Sequence, residues 1–112
     1  MGGVKLFLDD TRRPPPRFTH LACTARDAIA LLESVAFEEV SLDYDLGPAE
    51  AGTGGDVARW MRDAALEGRL SPTHWRVHSA NREGSQEILA LLREADRAWG
   101  RREATGFHSS RL

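Results

Sequence analysis

The runs VKLFLDD (Val4 to Asp10) and VSLDYD (Val40 to Asp45) constrain this chain most. Each is a short stretch of strand-forming residues that finishes on two closely spaced aspartates. Neighbouring carboxylates repel each other and resist burial, so two such endings in one chain point to a place where the charges are used. Val4 to Leu8 is apolar apart from Lys5, which fits a strand covered on both faces. Glu39 to Leu42 supplies a second strand. In THWRVHSAN, Trp75, Val77 and Ser79 alternate with Arg76 and His78 before a turn at Ala80 and Asn81, which predicts a third. His20 to Cys23 fits a short edge strand.

Amphipathic stretches separate these runs. Thr24 with Asp27 gives a capping-box-like start, and Ala28, Leu31, Leu32 and Val35 recur at helical spacing, predicting a helix over about Ala25 to Val35. GPAEAGTGG reads as a glycine-rich loop. Val57, Trp60, Met61, Ala64 and Ala65 then form the apolar face of a helix that stops near Gly68, with Asp56 capping or charging its first turn. Ser85 is placed to cap a third helix carrying Ile88, Leu91, Leu92 and Ala95. The prolines of TRRPPPRF exclude a helix between the first two strands. From Arg97 the chain is arginine-rich without a clear period, so the expected organisation is one domain over 1–96 and a tail over 97–112.

Strands alternating with amphipathic helices predict an α/β fold with right-handed crossovers and a mainly parallel sheet of about four strands. The connection from Asp10 to His20 is short for a crossover, which leaves the direction of the edge strand open. A chain of 112 residues buries a working core without disulfides, and the one cysteine, Cys23, has no internal partner. The net charge of −2 gives no general pull toward nucleic acid or anionic membranes. No run reaches membrane-span length and MGGVK lacks a secretory core, so the expectation is a cytoplasmic protein with no membrane partner.

In a parallel sheet the carboxyl ends of the strands share one side, and ligands bind there. Asp9, Asp10, Asp43, Asp45 and the HSAN segment should therefore converge. A divalent cation relieves the repulsion of clustered carboxylates. Oxygen-rich sites of this kind suit Mg²⁺ or Mn²⁺, with His78 tilting the choice toward Mn²⁺. Ser79, Asn81 and Arg12 are the candidate phosphate contacts, and Asp43, Asp45 and His78 the candidate catalytic groups.

With FLDD, LDYD and HSA in place, the chain resembles the receiver domain of bacterial response regulators. That likeness implies Asp9 and Asp10 as Mg²⁺ ligands, Asp43 as phosphoacceptor position and Ser79 as switch hydroxyl. A receiver's first helix is replaced here by TRRPPPRF, and its fifth strand with an essential lysine has no counterpart, since Lys5, the only lysine, starts the first strand. KLFLDDTRRPPP, SLDYDLG and VHSAN together are more similar to the cyclic-phosphate processing receiver domains, over Lys5 to about Ala95. Tyr44 stands where those relatives carry histidine.

The resemblance implies a minimal receiver-like (flavodoxin-like) three-layer sandwich without the first helix and fifth strand. It also implies a role in handling cyclic phosphates on RNA ends or small nucleotides. The leading expectation is a metal-dependent cyclic phosphodiesterase in which Asp9, Asp10 and Asp43 hold Mg²⁺ or Mn²⁺. The alternatives are a signalling module phosphorylated on Asp43 and a noncatalytic binding domain. An uncovered sheet edge is open to pairing with a second copy as a homodimer.

Overall fold

The computed structural model describes residues 3–101. Strand β1 spans Lys5–Leu8, β2 His20–Ala22, β3 Glu39–Leu42 and β4 His74–Val77; helix α1 spans Ala25–Ser34, α2 Gly54–Leu66 and α3 Arg82–Ala98. The strands form one sheet in the order β2-β1-β3-β4, parallel at every pairing. The α/β class, the parallel sheet and the absence of a helix between β1 and β2 are as expected. The edge strand β2 also runs parallel, pinned at its entry where the Lys5 amide donates to Thr19 Oγ1 and the Thr19 amide donates to the Lys5 carbonyl.

Register sets Leu6 beside Val40 and Val40 beside Trp75, and Leu8 beside Leu42. Side chains alternate along a strand, so these five share one face. There they join Ala28 and Leu32 of α1, Val57 and Met61 of α2, and Ile88 and Leu92 of α3 in a single core. A large apolar side chain withdrawn from water contributes about 1.5–3 kcal/mol, which holds all three helices to that face. The opposite face carries Lys5, Phe7, Glu39, Ser41 and Arg76. Phe18 packs edge-on against Phe7 there, with ring centroids 5.3 Å apart. The layer expected on this side of a three-layer sandwich is therefore a loop, residues 9–19, and not a helical layer. Three prolines explain it, because they keep the segment extended where a receiver has its first helix.

Local chemistry fixes the helix starts. Thr24 Oγ1 accepts the Asp27 amide at 3.1 Å, and Thr53 and Asp56 cap α2 reciprocally, so Asp56 serves the helix. Helix α3 begins three residues before Ser85. Asn81 Oδ1 accepts the Gly84 amide at 2.8 Å and makes the cap. The sequence hid this start because Gly84 breaks the apolar period. Its missing side chain leaves room for the Tyr44 ring, which a Cβ at that position would strike.

The helix runs on to Ala98. Beyond it the Trp99 indole donates to the Leu70 carbonyl at 2.9 Å and Arg101 donates to the Thr73 carbonyl at 2.8 Å. Arg102 and the rest of the arginine-rich tail lie outside the described residues. Among the described residues, no strand pairs with the outer edge of β4, and no helix is long and apolar enough to cross a membrane.

Candidate functional site

Three segments meet at the carboxyl edge of the sheet. Asp9 follows β1 directly and is 1 % exposed. Its Oδ1 accepts the amides of Thr11 and Arg12, each at 2.9 Å, while Oδ2 lies 3.0 Å from His78 Nε2. Asp43 follows β3, its amide donating to the Leu8 carbonyl and its Oδ1 accepting the Tyr44 amide at 2.7 Å. His78 follows β4, held by its own amide on the Leu42 carbonyl. The imidazole stacks on Phe7, with centroids 4.4 Å apart and planes 3° from parallel, and Nδ1 meets Ser41 Oγ at 2.7 Å. One donor atom from each of Asp9, Asp43 and His78 lies within 4.8 Å of the other two.

The charge states suit a cation. Burial pushes the Asp9 carboxyl up, but the amides of Arg12 and Thr11 together with His78 outweigh it and hold the group below its ordinary value. Burial pushes His78 below its ordinary value against the pull of Asp9 and Asp43, so the ring is neutral near pH 7. A neutral imidazole with a free lone pair is the form that binds metal. Ser41 Oγ can accept from or donate to Nδ1, so it supports either tautomer and orients the ring when Nε2 is committed to a ligand. The donor set of two carboxylates and one imidazole fits a divalent ion.

The other expected residues are placed differently. Asp10 is exposed and lies over Gly47, outside the Asp9, Asp43 and His78 group. Asp45 is exposed and accepts from Asn81 Nδ2 at 3.1 Å, while the other end of the Asn81 amide caps α3. Ser79 Oγ accepts the Asn81 amide at 3.1 Å. Arg12 reaches the edge, its Nη1 donating to the His78 carbonyl at 3.4 Å. Tyr44 turns away, its hydroxyl donating to Glu87 Oε1 at 3.1 Å, and burial pushes its phenol up, so it is neutral at physiological pH.

Ser41 and Phe7 were missed in the sequence, although both bear on His78. Ser41 is the one polar residue of β3 besides its first, and it lies two register positions below His78 on the same face. That alternation was the available signal.

A parallel four-stranded sheet flanked by three helices, with acids gathered at its carboxyl edge and no helix after its first strand, defines a minimal receiver-like domain. More particularly, the chain belongs to the cyclic-phosphate processing receiver domain family, whose sequence model matches residues 4–94. No curated protein and no solved structure gives a match.

Proposed function

We propose that this domain opens cyclic phosphates, on RNA ends or small nucleotides, by hydrolysis that depends on Mg²⁺ or Mn²⁺. The observation that carries the reading is the convergence of Asp9, Asp43 and His78 within 4.8 Å, in a chain of the cyclic-phosphate processing family. These three would hold the ion, with Asp10 on the rim. A divalent ion held by them would polarise the phosphoryl oxygen and raise the acidity of water.

The remaining roles fall to the chain itself. Arg12 and Ser79, with the Asn81 amide between Asp45 and α3, face the phosphate oxygens. The Asp45 carboxylate, oriented by Asn81, takes the proton from water as the new P–O bond forms. One ring P–O bond then breaks, and the released ribose oxygen takes up the proton that Asp45 received from water. Incubating wild type with 2′,3′-cyclic and 3′,5′-cyclic nucleotides and with cyclic-ended RNA, with each ion, tests the reading. Ring-opened product that disappears in Asp43→Asn is expected. No product from wild type under any condition would refute it.

Phosphoryl acceptance on Asp43 is the weaker reading. The only lysine, Lys5, is engaged with Glu39 at 3.4 Å on the first residue of β1, at the end of the strand away from Asp43. The acyl phosphate would lack its usual counter-charge.

A further inference from the structure

The loop that roofs the second face of the sheet does more than close it. Beneath residues 12–18 lies a cavity of about 300 Å³ lined by Phe7, Pro15, Phe18, Ser41 and His78 with four arginines, Arg12, Arg13, Arg17 and Arg76. That volume is at the lower end of small-ligand sites. No carboxylate is among the lining residues. Of the arginines, Arg76 is engaged by Glu39 at 2.9 Å and Arg12 by the His78 carbonyl, whereas Arg13 and Arg17 are exposed and form no ion pair with a described residue. Arg17 sits over the Phe18 ring with its guanidinium carbon 5.7 Å from the centroid. His78 lines this cavity and also belongs to the Asp9, Asp43 and His78 group, so the two adjoin across the imidazole.

Phe7 is buried under the His78 ring, so the half-exposed Phe18 ring is the aromatic surface left for a base. An aromatic ring beside guanidinium groups that pair with no described residue is the recognition chemistry of single-stranded nucleic acid, in which bases stack and arginines take phosphates. A free cyclic nucleotide brings one phosphate, which the carboxyl-edge site would consume. It leaves Arg13 and Arg17 without a partner. A strand end brings a further phosphate and base directly behind the cyclic one. The prolines hold the loop extended without the ligand, and Asp9 Oδ1 fastens its start, so little ordering remains to be done on binding.

We infer that the cavity beneath the loop receives the nucleotide preceding a terminal cyclic phosphate, which makes the substrate class an RNA strand end and not a free cyclic nucleotide. The inference rests on the function proposed above. It extends that function by assigning Phe18, Arg13 and Arg17 to substrate choice.

The test compares a four-nucleotide RNA ending in a 2′,3′-cyclic phosphate with the matching 2′,3′-cyclic mononucleotide. Affinities are measured by calorimetry in EDTA across a salt series, and ring opening is followed separately with Mn²⁺. Wild type is expected to bind the strand end roughly tenfold or more tighter, the scale of one added base stack and phosphate contact. In Arg13→Ala/Arg17→Ala that preference should collapse toward one, and the salt slope for the strand should fall by about 0.7 per lost contact. Arg13→Lys/Arg17→Lys should keep most of the slope, which separates loss of charge from damage to the loop.

A wild-type preference near one, or a preference untouched by the alanine pair, overturns the inference even if both substrates are opened and the hydrolytic reading stands. Selective, arginine-dependent binding with no ring opening supports the strand-end site while refuting hydrolysis. Binding of neither compound overturns the inference.

Discussion

Substituting Asp43→Asn should make the metal-free protein more stable while removing its response to metal. Carboxylate oxygens of Asp9 and Asp43 lie within 4.8 Å with a neutral imidazole between them in charge terms. At that separation two unit charges repel by about 1 kcal/mol in a water-like medium and about 3 kcal/mol near a protein surface. Asp43 is half-buried, which places the relief toward the lower figure. Asparagine keeps an oxygen for the Tyr44 amide, so little is lost locally. In a domain of this size 1 kcal/mol shifts Tm by roughly 4–8 °C, so the variant in EDTA should melt several degrees above wild type. Mn²⁺ at about one hundred times its Kd adds about 2.7 kcal/mol to a state that alone binds it, or roughly 10–20 °C for wild type. The variant should gain almost none of this. Differential scanning calorimetry in EDTA, Mg²⁺ and Mn²⁺ reads both effects. A variant that is less stable without metal, or that keeps the full Mn²⁺ shift, would refute the account of a shared cation site.

Three further perturbations probe other parts of the molecule. Ser41→Ala removes the partner of His78 Nδ1, and Mn²⁺ affinity by calorimetry should fall about 10- to 100-fold with the fold intact, whereas unchanged affinity would show the hydroxyl does not orient the ring. Gly84→Ala normally stabilises a helix by roughly 0.5–1 kcal/mol, but here the added methyl enters the Tyr44 ring, so urea unfolding should show a loss of about 1–3 kcal/mol; a gain would refute the packing. His78 in the folded, metal-free protein titrates below its ordinary 6.5, so the unfolded chain takes the proton first and stability should drop as pH falls below about 6.5. Asp9, held below 3.8, is stabilising above that value and adds a second loss only under stronger acid. Denaturant midpoints between pH 7 and 5 should flatten in His78→Gln, and equal slopes in both proteins would contradict the assignment.

The strand and helix positions were legible because the apolar residues that build them also form the core: Leu6, Leu8, Val40 and Leu42 announce both a strand and a buried face. The gathering of acids followed from topology, since parallel strands deliver Asp9 and Asp43 to one edge wherever the helices lie. What topology does not specify is rotation about each chain end. Asp10 comes one residue after Asp9, and that single step turns it from the cluster to the rim over Gly47. His78 lies one residue past β4, on the face that brings it over Phe7, which pairs it with Asp9. Helix α3 began earlier than its apolar period because Asn81 supplies the cap and Gly84 serves the neighbouring tyrosine. Neither signal is hydrophobic.

The alternation along β1 has a consequence for how this domain can change over time. Leu6 and Leu8 face the helices, while Phe7 faces the cavity beneath the loop. The same parity holds in β3, where Val40 and Leu42 belong to the core and Ser41 reaches His78. Residues one apart in the chain thus answer to separate selective pressures. Substitutions at the helix-facing positions will register first as lost thermal tolerance. Those at the loop-facing positions will register first as a changed lining of the cavity beneath the loop. Variation can accumulate in one set while the other is held, so divergent members of such a lineage could keep an almost unchanged interior beneath very different mouths.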